Sequence, residues 1–225
     1  MITKIALTLV LLVISIVLVS VPLRINQDPD SSTVSSYAIR DVNLITMTSD
    51  TVIASQTVLI SKGIIEAIFS SNSKKIDERY QIIEGSGRYL MPGLSDMHTH
   101  IREPHDLSLN LFNGVTTVLD LGGPSAILEL KKSVEAGELP GPQIFASVFV
   151  DGKEPTFWLA DGSESAREAV KEFKETGWDY IKVYNSTAKS SFYSLLEEGR
   201  KENITVIGHA VRAVGLEESL KAGQK

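Results

Sequence analysis

At 225 residues the chain has room for one large domain or two small ones, and 43% hydrophobic with 22% charged residues is ordinary for a globular protein. A formal charge of −6 argues against nucleic acid as a partner, because a phosphate backbone needs a basic surface to replace its counterions. The absence of cysteine excludes disulfides, thiolate metal ligands and a cysteine nucleophile.

Ile5 to Leu23 is a 19-residue run without a charge, dominated by Leu, Ile and Val. As a helix it would cross a hydrocarbon core of about 30 Å, and it exceeds the apolar part of a cleaved signal, about 7–15 residues. Residues 1–23 are therefore expected to be a signal anchor or a signal peptide, with the anchor favoured. The expected localisation is membrane-anchored or exported, with the bulk of the chain outside the cytoplasmic membrane and a membrane contact through residues 5–23. Residues 24–36 are polar and turn-rich, the composition of a linker.

Residues 37–93 show short β-branched runs separated by turn residues. The clearest is Thr57 to Ile60, then Ser61-Lys62-Gly63, then Ile64 to Phe69, a hairpin in which Gly63 supplies a positive φ. This stretch is expected to form a small β-sandwich module. Leu90-Met91-Pro92-Gly93-Leu94-Ser95-Asp96-Met97-His98-Thr99-His100 follows, an apolar lead-in, a turn and a His-x-His pair. In a buried strand, alternate residues share a face, so His98 and His100 project together and can share a divalent ion through bonds of roughly 2.0–2.1 Å. Asp96 has the same parity and is placed to orient one ring from behind. The competing reading is chance alternation on a half-exposed strand.

Strand and helix then alternate. Strands are expected at Thr116–Leu121, Gln143–Val150, Tyr180–Tyr184 and Ile204–Ala210, and helices at Ala126–Ala136, Ser165–Thr176, Phe192–Lys201 and Leu216–Ala222. With the His-x-His strand this makes five strands, the pattern of a parallel sheet with right-handed crossovers. No G-x-G-x-x-G follows any strand, which disfavours a dinucleotide fold. Polar residues interrupt these strands near their carboxyl ends: His98, His100, Asp120, Lys182 and His209. A closed α/β barrel gathers its chemistry there. Lys182, inside Tyr-Ile-Lys-Val-Tyr, is costly as a buried cation and must be paired, neutral, modified or snorkelling outward. His209 reads either as a ligand or as a core histidine bonded to a carbonyl. His105, in a loop, reads as a surface residue.

MPGLSDMHTH, the NGVTTVLDLGG run (Asn113–Gly123), YIKVY and VIGHAVRAVGLEESLKAGQ (Val206–Gln224), in that order, resemble the amidohydrolase superfamily in its imidazolonepropionase-like and prolidase-like branch. The resemblance covers residues from about Tyr37 to Lys225. It implies an α/β fold, an incomplete (β/α)8 TIM-type barrel of the first five βα units over residues 94–225, beside the N-terminal β-sandwich module and an N-terminal apolar helix. It further implies His98, His100 and His209 as metal ligands and Lys182 as a carboxylated lysine bridging two Zn2+ ions, with a catalytic as well as a ligand role. The implied reaction is attack of a metal-activated hydroxide on a C–N bond of a small-molecule amide, non-peptide or dipeptide. Arg102, Tyr184 and Arg212 are expected substrate contacts, and residues 154–164 an expected lid. Relatives continue into a sixth strand with a histidine and an eighth with an aspartate, so the expectation is a truncated product with impaired activity. His98-Thr99-His100-Ile101-Arg102-Glu103-Pro104 also resembles dihydroorotases and hydantoinases, which makes a cyclic amidase the alternative. A non-catalytic, membrane-tethered remnant of the fold is the third reading.

Overall fold

A computed structural model describes residues 36–152, 158–159 and 162–225. The chain divides into two compact units, Met1–Pro92 and Gly93–Lys225.

The described part of the first unit is one five-stranded sheet built on β1 (Ser36–Ile45). One edge of β1 pairs antiparallel with β2 (Val52–Ser61), which pairs in turn with β3 (Ile64–Ser70). Its other edge takes two short parallel strands end to end, β4 (Gln81–Glu84) against Tyr37–Arg40 and β5 (Tyr89–Leu90) against Asn43–Leu44. This corrects the expected β-sandwich. The ten-residue β1 seats β2 on one edge and both β4 and β5 on the other, and β3 extends the same sheet from β2, so the described residues form one sheet. Val42, Leu44 and Val58 are the buried centre, with Ile39, Ile60 and Leu90 against them.

The hairpin expected at Lys62-Gly63 is present, with φ of 50° and 76° at the two turn residues. Two positive φ values define a turn whose twist matches the flanking strands. Gly63 adopts this conformation freely, whereas Lys62 holds its Cβ in the left-handed region. Replacing Lys62 with asparagine is therefore expected to stabilise the unit by about 0.5 kcal/mol, read as a higher urea midpoint.

The second unit alternates strand and helix: β6 (Leu94–Thr99), α1 (Pro104–Phe112), β7 (Val115–Leu121), α2 (Ala126–Glu135), β8 (Gln143–Asp151), a short β9 (Trp158–Leu159), α3 (Ser163–Thr176), β10 (Tyr180–Val183), α4 (Lys189–Lys201), β11 (Thr205–Gly208) and α5 (Leu216–Ala222). All pairings are parallel, in the order β11-β10-β8-β7-β6 with β9 beside β8. Each main strand thus neighbours the next one in sequence. A doubly wound sheet reverses direction at a switch point, whereas a barrel advances around its axis in this way. The result is a parallel half-barrel whose carboxyl strand ends lie along one rim.

The core forms where the outward face of the sheet meets the helices. Val118, Ile144, Ala146, Val150, Ile181 and Val183 are all at most 2% exposed, packed with Phe173, Phe192 and Leu195 from the helices. Intervening residues on the same strands face the inner side, and these include Leu119, Phe149, Lys182 and Ile207. Helix α1 is absent from the sequence-based expectations although its signals are present. Pro104 occupies the first turn, and the Asp106 carboxylate accepts the N–H groups of Arg102 (2.9 Å) and Glu103 (3.1 Å).

The membrane-anchored or exported placement is corrected: among the described residues no helix is long and apolar enough to cross a membrane. The run from Ile5 to Leu23, the expected apolar helix and nearly all of the 24–36 linker lie outside the described residues, as do positions 154–157 and 160–161 of the expected lid.

Candidate metal centre

His98 stands near the end of β6 and His100 one residue beyond it, with ring centroids 5.5 Å apart and the planes at 72°. Their shared parity brings the rings together, as alternation requires. Both are exposed, which corrects the expectation of a buried strand. The reason is topological: β6 is an edge of the sheet, with β7 as its one neighbour among the described residues. Asp96 does not orient a ring. Its Oδ1 accepts the backbone N–H of His98 at 3.0 Å.

Lys182, on β10, is 3% exposed, so the buried-cation problem posed by its neighbours is real. Its Nζ donates to the Leu121 carbonyl at 2.9 Å and lies 5.2 Å from the centre of the Phe149 ring. Burial pulls its pKa below the ordinary lysine value, and the Asp120 charge opposes that shift. The stem fits because Gly208 on the neighbouring strand has no side chain; a Cβ there would come within 3.0 Å of Lys182 Cγ.

His209 follows the end of β11. Its N–H donates to the Val183 carbonyl at 3.0 Å, and its ring lies 4.2 Å from that of Tyr184, which in turn lies 5.1 Å from Phe149. Phe149, Tyr184 and His209 thus form an aromatic row across three strands. His98, Lys182 and His209 line one cleft of about 330 Å³ together with Leu119, Leu121 and Ile207. His100 stands beside His98 but does not line that cleft. Desolvation, then the Lys182 charge, hold the imidazoles of both His100 and His209 below the usual histidine range. They are therefore neutral near pH 7, the form in which imidazole binds a metal.

The donor set suits a divalent cation only conditionally. Among the described residues no three His, Cys, Asp or Glu side chains come together as a metal-holding group. The cleft offers two imidazoles and two lysines, Lys182 and Lys225, and a free ammonium repels a cation. Carried as an anionic carboxylate, the Lys182 side chain would become the ligand that the two imidazoles lack.

The expected substrate contacts are dispersed. Tyr184 is half-buried against His209. Arg102 is exposed and lies beyond the strand, which ends at Thr99, so strand alternation does not set its direction. Arg212 is exposed, tied by its N–H to the Asn185 carbonyl at 3.0 Å, and like Arg102 does not line the cleft. His105 is exposed, 3.5 Å from both Glu103 and Asp106. Asp120 shares the parity of Val118 and is fully buried, so its carboxylate does not point into the cleft. Phe149 was not singled out in the sequence; its signal was an aromatic residue at an inward position of a strand.

No family model matches the chain. Over 66 residues it is 38% identical to an imidazolonepropionase of Idiomarina loihiensis, and over 49 residues 43% identical to a dihydroorotase of Streptomyces coelicolor. These segments are 28% and 22% of this chain, and 16% and 11% of the two relatives. A protein of Bifidobacterium longum provisionally named a prolidase matches 85% of the chain at 25% identity and a TM-score of 0.76, and this chain spans 53% of it. A Xaa-Pro dipeptidase with bound methionine in its active site shares the fold at 19% identity and a TM-score of 0.69, over 85% of this chain and 60% of its own. A bottromycin amidohydrolase shares it at 22% identity and 0.71, over 84% and 42%. The sequential half-barrel and these matches make the chain similar to proteins of the amidohydrolase superfamily, prolidase-like structures among them.

Proposed function

We propose that this chain carries the metal-binding half-site of a hydrolase that cleaves C–N bonds in small amides, non-peptide or dipeptide. The observation that supports this reading best is the convergence of His98, Lys182 and His209 on one cleft at the carboxyl ends of the strands. Divalent metal, two Zn2+ ions in the fullest form of the proposal, would be held by His98 and His100 on one side and His209 on the other, with carboxylated Lys182 between them. When bound, such a cation acidifies water and polarises a carbonyl. The chain's own contribution is to favour the neutral imidazoles of His100 and His209, to lower the pKa of the Lys182 amine that would be carboxylated, and to back the His209 ring with Tyr184. Arg102 and Arg212 are the cationic groups proposed to meet a substrate carboxylate.

A second reading, a cyclic amidase, is favoured by the 43% identity over 49 residues to a dihydroorotase. The test incubates the chain with Zn2+ and bicarbonate and offers N-acyl amino acids, Xaa-Pro dipeptides, dihydroorotate and hydantoin. Metal- and bicarbonate-dependent hydrolysis of the open-chain amides is the expected result, with a carbon dioxide adduct on Lys182 seen by mass spectrometry. Turnover confined to the cyclic substrates would select the second reading. Absence of metal binding under these conditions would overturn both.

A further inference from the structure

We propose that Asp120 is a positioning residue that fixes the backbone of His100 from both sides. It rests on the metal-site reading for its functional meaning, but its geometry stands apart from it. In the β6–β7 register Thr99 pairs with Asp120, so the residue before His100 is held by the Asp120 main chain. The residue after His100 is held by the Asp120 side chain, whose Oδ2 accepts the Ile101 N–H at 2.6 Å. His100 is thus bracketed by one residue of the neighbouring strand, although it lies outside the strand itself.

The rest of the environment makes this bracket rigid. Asp120 is 0% exposed, and its Oδ1 accepts the Gly123 N–H at 2.5 Å. The Asp120 carbonyl accepts the Ser147 hydroxyl at 2.8 Å. Ile101 is itself 2% exposed, so its side chain is anchored in the core while its amide is held. A Cβ on Gly123 would lie 2.8 Å from Asp120 Oδ1, so glycine is what allows that turn to close on the carboxylate. A carboxylate only accepts, and here it meets N–H groups from two different loops; asparagine would turn an NH2 toward one of them. A buried carboxylate without a basic partner within ion-pair distance is costly, and a purely apolar residue would serve packing better. Asp151 repeats the arrangement one strand away, its Oδ1 accepting Gly152 N–H at 2.7 Å and Ser186 N–H at 3.1 Å, and so supplies the control.

The experiment compares the full chain with its Asp120→Asn and Asp151→Asn variants. Imidazole 1H–15N spectra, Ile101 amide exchange and Co2+ titration are read together. Asp120→Asn is expected to move or broaden the His100 resonances, to speed Ile101 exchange at least tenfold, and to weaken Co2+ binding by about 10–100-fold, leaving the Tyr184-stacked His209 signals in place. Asp151→Asn is expected to leave His100 unchanged. An unaltered His100 spectrum and Ile101 exchange rate in folded Asp120→Asn overturn the proposal. If that variant does not fold, the parent chain decides: a slowly exchanging Ile101 amide supports the bracket, and an unprotected one overturns it. Failure of the parent to bind Co2+ overturns the metal-site reading alone, because the His100 spectrum still judges Asp120.

Discussion

Replacing His209 with alanine is expected to lower the affinity of the chain for Co2+ or Zn2+ by about two orders of magnitude or more, beyond the 10–100-fold typical of groups that merely support a ligand. His209 and His98 are the two imidazoles lining the cleft, so its loss leaves one imidazole beside Lys182 and Lys225. The fold is expected to survive, because the ring is exposed and its contact with Tyr184 is a surface stack. Calorimetric titration with each metal measures the effect. The pH dependence has a definite sign. His209 and His100 have pKa values lowered in the folded chain, by burial first and by Lys182 second. Their neutral forms are therefore favoured by folding, a contribution fully present above the unfolded value of about 6.5 and lost as pH falls through the lower folded values. Metal binding should accordingly persist somewhat below pH 6.5 and disappear at a lower pH than for free imidazole. Loss centred above 6.5 would show that neither burial nor the Lys182 charge lowers the rings' pKa values.

Replacing Gly208 with alanine is expected to destabilise the second unit by about 2–4 kcal/mol, a large share of a typical domain's stability. Its φ is 115°, outside the range in which a side chain is comfortable. The new Cβ would also lie 2.5 Å from the Val183 carbonyl oxygen, which belongs to the backbone of the adjacent strand and cannot swing aside. Gly63 isolates the conformational part of this cost, because its φ is 76° but nothing lies within 4 Å of an added Cβ. Gly63→Ala is therefore expected to cost only about 1 kcal/mol. Urea unfolding followed by tryptophan fluorescence reports Gly208→Ala in the second unit, since both tryptophans, Trp158 and Trp178, lie within it, and far-ultraviolet circular dichroism reports Gly63→Ala in the first. Equal effects at the two glycines would mean that β10 and β11 yield at Val183 more readily than their register implies.

These residues also show where sequence was sufficient. The alternation that places His98 and His100 on one side of a strand is a property of the extended chain, and their rings are indeed neighbours. The orientation of Lys182 and of His209 was left open by alternation, whereas the Lys62-Gly63 turn needs only a residue that tolerates positive φ. Helices α2 to α5 were legible from spacing because each has one apolar stripe to bury. Helix α1 was missed because its start signals, Pro104 and Asp106, precede a short segment with only Leu107 buried.

By itself, then, the sequence determined the alternation of strand and helix, the parity of the candidate ligands and the family pattern, since all of these depend on local geometry and near neighbours. Only the tertiary structure decided that β1 gathers every strand of its unit into one sheet, that β6 lies at an edge with its histidines exposed, and that Asp120 turns away from the cleft to hold the Ile101 amide. Those outcomes depend on which strand occupies which edge and on where buried N–H groups find acceptors, and both are settled by segments distant in the chain.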